Sequence, residues 1–390
     1  MVIDKIFHYT LLYDILFMYT GTQRKYVIKP INRLADGTRC ASRERFPCSI
    51  DENNIRSVFM AGIRDVAKEA GVAICTVSRL LNGTANVEPE TRKKIEDAMK
   101  KLNYVPNELA RGMFKGRSNS IAMLVPNIQH PWFSSLASEI EKILFEKKYK
   151  FMLFSTSDDT QREKDCFALL KSNIVDGIIC GTSACTTKEY SKVDKPMVML
   201  DYNAGARFPL VVSDHKMGAA LAVQEFVRSK CKYVIHISGT KDDKKIMSFV
   251  SHEQLSQLLE KAGIRSRRVP IRWNDFDFDG YFELAKCILE EYPEVDGIFA
   301  ADMPAIAFLK AGIAIGKKIP QDLAIVAYDG TYVTKTGTVK LTTVNQPYWE
   351  IAHKATEELL YLIENPEIPK NETTFLLPVT LERGETTVKM

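Results

Sequence analysis

The chain has 390 residues, 45% hydrophobic and 26% charged, enough for two or three ordinary globular domains and outside the range of disordered or fibrous chains. Its net charge of +4 is too small to mark a binder of polyanions by itself. Eight cysteines (40, 48, 75, 166, 180, 185, 231 and 287) form no CxxC pair and no His/Cys cluster of zinc spacing. They read as reduced thiols of a cytoplasmic protein, with redox sensing by Cys180 and Cys185 as the alternative.

Charge is unevenly spread. Residues 60 to 117 carry eleven Lys/Arg against seven Asp/Glu, or +4, and residues 1 to 59 carry nine against six, or +3. Residues 118 to 390 carry 33 against 36, or −3, so only the front of the chain has an electrostatic reason to seek nucleic acid.

The apolar stretch from Thr10 to Thr20 is broken by Asp14 and is shorter than the roughly 20 residues of a bilayer span. With Asp4 ahead of it and no small-residue cleavage site after it, it does not read as a signal peptide either. Residues 21 to 59 are polar, basic and aperiodic, and Met60 stands directly before a well-patterned segment. Residues 1–59 are therefore expected to be a disordered arm or a start-site artefact, with Met60 as the natural start. A functional basic arm on DNA is the competing reading.

Ile63, Val66, Ala67 and Ala70 make the apolar face of a short helix, closed by Gly71. A second helix carries Val77, Leu80 and Leu81 inward and stops at Asn82-Gly83. Pro89 opens a third, with Ile95, Ala98 and Leu102 on one face and Arg92, Lys93, Lys94, Lys100 and Lys101 outward. Two short helices around a glycine turn predict a helix-turn-helix over 60–106. Cys75, Thr76, Ser78 and Arg79 then face outward on the second helix, whose start would enter the major groove. Arg79 suits a two-pronged contact to guanine, while Thr76, Ser78 and Asn82 suit phosphates. A plain three-helix bundle with a solvated charged face explains the periodicity equally well.

The segments Ile63-Arg64-Asp65-Val66-Ala67-Lys68-Glu69-Ala70-Gly71-Val72 and Thr76-Val77-Ser78-Arg79-Leu80-Leu81-Asn82-Gly83 strongly resemble the opening of lactose-repressor (LacI/GalR) family regulators. The likeness continues through Val87 to Arg92 and Leu102 to Arg111 and covers most of 60–390. It implies that Ile74 and Cys75 are the variable base-reading positions. It also implies a hinge helix within 107–117, with Asn107, Ala110 and Met113 at the minor groove and Met113 as the wedge between base steps. Gly112 lowers helix propensity there by about 1 kcal/mol relative to Ala. Ala73 stands where the family usually has Ser, removing a cap or phosphate contact of about 1 kcal/mol.

From about residue 118, short apolar runs alternate with helical stretches: Ile121 to Val125, Phe151 to Ser155, Gly177 to Cys180, Met197 to Leu200, Tyr233 to Ile237, Gly297 to Ala301 and Ala324 to Tyr328. Strand–helix alternation predicts parallel sheets covered by helices, and some 270 residues predict two lobes. Ligands sit beyond the carboxyl ends of such strands. That singles out Asn127, Ser157, Asp158, Asp201, Asp302 and Asp329, although each aspartate taken alone reads more readily as a helix cap or turn residue and only the set at strand ends points to a ligand. The resemblance implies a periplasmic-binding-protein-like sensor, its chain crossing three times between an N-lobe (about 118–217 and 347–372) and a C-lobe (about 218–346 and 373–390). It places Asn127, Trp132 and Phe133 at the cleft. Asp201, Asp302 and Asp329 accept from ligand hydroxyls, Phe276 or Phe278 stacks on the ligand, and Gln346 and Tyr348 close over it. Ser251 stands near the place of an arginine usual in the family, and Ala301-Asp302 replaces its Asn-Asp pair.

No GxSxG elbow, P-loop or HExxH is present, and His130, His215 and His353 read as surface or cleft residues rather than bases. The sequence thus predicts a small all-α helix-turn-helix domain followed by a two-lobed α/β domain, and not an enzyme. The expected partners are palindromic operator DNA, a carbohydrate-like effector and a second copy of the chain. Pairing is expected along Trp132 to Lys147 and Lys216 to Ser229, as a dimer or tetramer, with no cofactor, metal or membrane. A regulator answering to a protein co-repressor, a DNA-bending protein with a vestigial sensor and a solute-binding transport protein are the rival readings.

Overall fold

The computed structural model describes residues 61–83, 86–106, 117–205, 207–239, 245–271, 277–367 and 373–388. The expected extension, the hinge positions Asn107, Ala110 and Met113, and Phe276 lie outside the described residues.

Among the described residues, the N-terminal module has three helices: α1 (Ile63–Glu69), α2 (Ile74–Asn82) and α3 (Pro89–Lys101). The Asp65 carboxylate accepts from the Gly62 backbone N–H at 2.8 Å, capping α1. Gly71, at φ +65°, makes the turn that a side chain would strain. Val66, Ala67, Val77, Ile95 and Ala98 are buried, and Glu69 and Lys101 pair at 2.5 Å.

The α/β domain contains two six-stranded sheets. Its elements run β1 (Ser120–Val125), α4 (Pro131–Glu146), β2 (Lys150–Ser155), α5 (Thr160–Lys171), β3 (Gly177–Cys180), α6 (Thr187–Tyr190), β4 (Met197–Leu200) and β5 (Leu210–Ser213). The second half runs α7 (His215–Arg228), β6 (Tyr233–Gly239), α8 (Met247–Lys261), β7 (Arg265–Ile271), α9 (Phe278–Glu291), β8 (Gly297–Ala301), α10 (Asp302–Ala314) and β9 (Ala324–Asp329). The chain finishes with β10 (Thr342–Asn345), α11 (Tyr348–Glu364), β11 (Thr374–Leu377) and β12 (Thr380–Glu382).

The first sheet has the order β11-β5-β4-β3-β1-β2, all parallel. The second has the order β12-β10-β9-β8-β6-β7, parallel except for β12. Helices cover both faces of each sheet, so the central strands read as continuous apolar runs. Leu136, Ile140 and Leu359 pack on one face of the first sheet, and Leu170 and Tyr190 on the other. In the second sheet Phe308 and Leu289 cover one face, Phe226 and Leu255 the other. Each fully buried side chain of this size contributes about 1.5–3 kcal/mol.

The chain passes between the lobes at Asp214, at 346–347 and at 378–379. The last position corrects the expected boundary at 372/373. Residues 374–377 complete the first sheet, pairing in register with Leu210 to Ser213, and only β12 joins the second.

Candidate functional site

Two surfaces matter. On α2 of the N-terminal module, Ile74 is 47% exposed and Cys75 and Arg79 are exposed. Thr76, Ser78 and Asn82 are half-buried, and Asn82 Nδ2 donates to Ser78 Oγ at 3.2 Å, so these two polar groups are partly occupied by each other. Val77 is fully buried, which orients the rest of the helix. With Ala at 73, no side-chain oxygen is available there to cap α2, whose first turn begins on the Ala73 carbonyl.

The second surface is a cleft of about 640 Å³, part of it open to solvent, between the two sheets of the α/β domain. The strand ends of the first sheet supply Pro126, Asp158, Gly181 to Ser183 and Leu200 to Tyr202. The second lobe supplies Gly239 and the start of α8: Ile246, Ser248, Phe249 and His252. A backbone bridge between Tyr202 and Ile246 fastens α8 to the end of β4, with Met247 N donating to the Asp201 carbonyl at 2.8 Å. Gly181 is required where it sits, because a Cβ there would lie 2.8 Å from the Phe133 ring that walls the cleft.

Asp201 is the cleft's best-connected polar residue. One carboxylate oxygen lies 2.7 Å from His215 Nε2, and the other accepts from Ser248 Oγ at 2.6 Å. His215 Nδ1 in turn lies 2.6 Å from the Tyr328 hydroxyl. Asp201 and Asp158 both stand at φ +55°, a left-handed conformation that aspartate tolerates better than most residues. The cleft's charged lining among the described residues is these two carboxylates, without Lys or Arg.

The other expected ligand residues are placed differently. Phe133 lines the cleft, whereas Trp132 is 6% exposed behind it, edge-on to Phe133 at 4.8 Å, its buried Nε1 without a hydrogen-bond partner among the described residues. Asn127 turns back on its own loop, accepting from Gln129 N at 2.9 Å. Asp302 is 2% exposed and accepts from Thr331 N (2.7 Å), Thr331 Oγ1 (2.6 Å) and Gly330 N (3.3 Å). It pins the loop after β9 and does not line the cleft. Burial pushes its carboxyl up to about 7, and Asp329, buried near it, is also pushed up.

Asp329 Oδ1 accepts from Gln346 Nε2 at 2.7 Å, and Gln346 Oε1 accepts from Ser213 Oγ at 2.8 Å. Gln346 thus ties the ends of β5 and β9 at the second crossing. Tyr348 packs against the core of the first lobe rather than over the cleft. Ser251 is likewise corrected: its hydroxyl is spent on the Ser248 carbonyl at 2.6 Å, and Ser248 is the first-turn residue of α8 that faces the cleft.

Sequence reasoning missed Thr182, Ser183, Ser248 and His252. The first two follow the apolar run of β3 and obey the strand-end rule that found Asp158. Their loop is held by buried Glu163, which accepts from Ala184 N at 3.0 Å, Cys185 N at 3.2 Å and the Tyr190 hydroxyl. Burial pushes the thiols of Cys180 and Cys185 up, the latter to about 12, so neither has the thiolate character that redox sensing needs.

No helix among the described residues is long and apolar enough to cross a membrane. The model of the bacterial regulatory proteins of the lacI family matches residues 62–107, and that of the periplasmic binding protein-like domain matches 223–387. The chain is 34% identical over 334 residues to the ribose operon repressor of Halalkalibacterium halodurans, covering 84% of this chain and 97% of that protein. A LacI family transcriptional regulator from Enterococcus faecium, solved with bound ribose, superposes with a TM-score of 0.61 at 25% identity, over 70% of this chain and 99% of that one. The lac repressor dimer, solved on its operator with the anti-inducer ONPF, shares the fold at a TM-score of 0.72 and 21% identity, over 85% of this chain and 100% of that one. With a helix-turn-helix preceding in sequence an α/β domain that holds a cleft between its two sheets, and with 34% identity to a repressor over 97% of that protein, this chain belongs to the LacI family of bacterial regulatory proteins.

Proposed function

We propose that the protein is a sugar-responsive repressor. Two copies pair through their α/β domains and present two helix-turn-helix modules to a two-fold-symmetric operator, one half-site each. An uncharged sugar enters the cleft and changes operator affinity through the stretch 107–117. One observation carries this reading: the cleft's polar lining comes from both lobes, so a bound molecule is sensitive to how the lobes stand. Apolar walls with a few convergent polar groups suit a small polar ligand. Among the described residues the cleft's two carboxylates have no Lys or Arg beside them, which disfavours phosphate or carboxylate on the sugar. The ribose operon repressor among the relatives makes D-ribose the first effector to try.

Allostery requires that the sugar bind the two states with different affinity. Genome-wide mapping of bound DNA supplies the operator, and fluorescence anisotropy then follows its release. D-ribose or another neutral sugar should shift the operator affinity at least tenfold. Indifference of operator binding to every neutral sugar tried would refute the reading. On the DNA side, Arg79→Ala should weaken specific binding by about 1–3 kcal/mol and leave non-specific binding nearly unchanged. Unaltered selectivity would remove Arg79 from the reader's role.

A further inference from the structure

One cleft residue on α8 has a partner that nothing above explains. His252 is 8% exposed and lies one helical turn beyond Ser248, on the same face. Its Nδ1 is 3.2 Å from Nδ1 of His236 on β6, with the two rings stacked at 5.4 Å and Phe299 edge-on at 6.0 Å. No hydrogen bond to the described residues is seen at its Nε2, and the residue lines the cleft.

A proton count gives what that nitrogen offers when the single Ser256 hydrogen sits on the His252 carbonyl. Ser256 Oγ donates to the His252 carbonyl at 3.1 Å, which uses its single hydrogen. Its oxygen, 3.1 Å from His236 Nε2, then accepts from that N–H. A neutral imidazole carries one N–H, so His236 Nδ1 is bare and accepts from His252 Nδ1–H. The proton of His252 is thereby held on the nitrogen turned to His236, which leaves Nε2 as an acceptor on a residue that lines the cleft. Burial keeps both rings uncharged, pushing His236 to about 4 and His252 to about 3, and the guanidinium of Arg268 reinforces this. Arg268 itself is engaged behind the cleft, donating to Ser238 Oγ at 2.5 Å and the Gly239 carbonyl at 3.1 Å. Asp158 and Asp201 add carboxylate acceptors to the same cleft.

We propose that His252 is a specificity-determining residue of the effector cleft, its Nε2 accepting a hydrogen bond from a hydroxyl of an uncharged polyol while His236 and Ser256 act as positioning residues that hold its proton on Nδ1. The inference rests on the reading that the cleft takes a sugar. It adds that the sugar is read through its hydroxyl hydrogens and that a phosphorylated sugar is rejected, because carboxylates and a bare nitrogen oppose a phosphate.

Calorimetry on the full-length protein tests it with D-ribose, D-xylose, D-fructose and sucrose, and with D-ribose 5-phosphate as the anionic probe. The best-binding neutral sugar should lose about tenfold in affinity in His252→Phe, which keeps a ring but no acceptor, and recover most of it in His252→Gln. The phosphorylated probe should bind at least tenfold more weakly than D-ribose. Unchanged affinity in His252→Phe, or tighter binding of the phosphate, overturns the proposal and leaves the sugar reading standing. If the wild type binds none of the sugars, the sugar reading falls, and ring-nitrogen NMR of the unliganded protein decides the proton placement separately. A proton on His252 Nδ1, shifting to a mixture of tautomers in Ser256→Ala, supports the proposal; a proton on Nε2 overturns it.

Discussion

The strand ends of the two sheets look alike in sequence and do opposite things. Those of the first sheet open into the cleft with Asp158, Thr182, Ser183 and Asp201. Those of the second carry Asp302 and Asp329, whose oxygens are consumed by Thr331, Gly330 and Gln346. An aspartate after a strand is thus a candidate ligand where its carboxylate lines the cleft, and a staple where it is buried against the next loop's own N–H and hydroxyl groups. In the second lobe the cleft is lined instead from Gly239 and the start of a helix.

The sharpest break of this contrast is Asp302→Ala. It leaves a buried hydroxyl and two backbone N–H groups without their acceptor and should cost about 3 kcal/mol, read as a lower urea midpoint at unchanged slope. A cost under about 0.5 kcal/mol would mean that the second sheet's end is not a staple. Asp201→Asn should do the reverse, losing about ten- to a hundredfold in sugar affinity with little loss of stability, because its side chain is partly exposed to the cleft. Ser248→Ala removes one hydroxyl hydrogen bond to the Asp201 carboxylate without touching the sugar's own contacts to it and should cost less than tenfold in affinity by the same titration.

The smallest effect is expected from pH on the wild type, because two slopes oppose. His236 and His252 titrate below the ordinary 6.5, so their contribution to stability is complete above 6.5 and is lost as pH falls toward 4 and 3. Asp302 titrates above the ordinary 3.8, so its contribution is complete below 3.8 and is lost as pH rises to about 7. Between about pH 4 and 6.5 the two partly cancel. Asp302→Asn should steepen the rise of stability with pH over that window, and His252→Phe should flatten it, since His236 then stands alone against Asp302. Parallel curves for the two variants would show that neither group carries the linkage.

The parallel strands and the cleft-side ends of the first sheet were legible because buried strands are apolar and punctuation follows them. Strand β7 was not, since its Arg265 and Arg267 lie over the rings of Tyr233 and Tyr292 at 4.1 and 4.6 Å and disguise an edge strand as a charged loop. The face of α8 was misjudged by three residues, Ser251 for Ser248. The helix buries Ser251 and His252 beside Phe249, Leu255 and Leu259, so its sequence lacks an apolar stripe to orient it. The fate of Asp302 depended on Thr331, 29 residues away, which no local pattern reports.

The three crossings have a consequence for how the domain is made. Because β11 belongs to the first sheet, that sheet stays one strand short until residues 374–377 have left the ribosome, long after the strands of the second sheet from β6 to β10. Neither lobe corresponds to a continuous stretch of the gene. A fragment ending before residue 374 would leave β5 with an open edge, a template for pairing with other chains, and such truncations should be recovered as aggregates rather than as half-sensors.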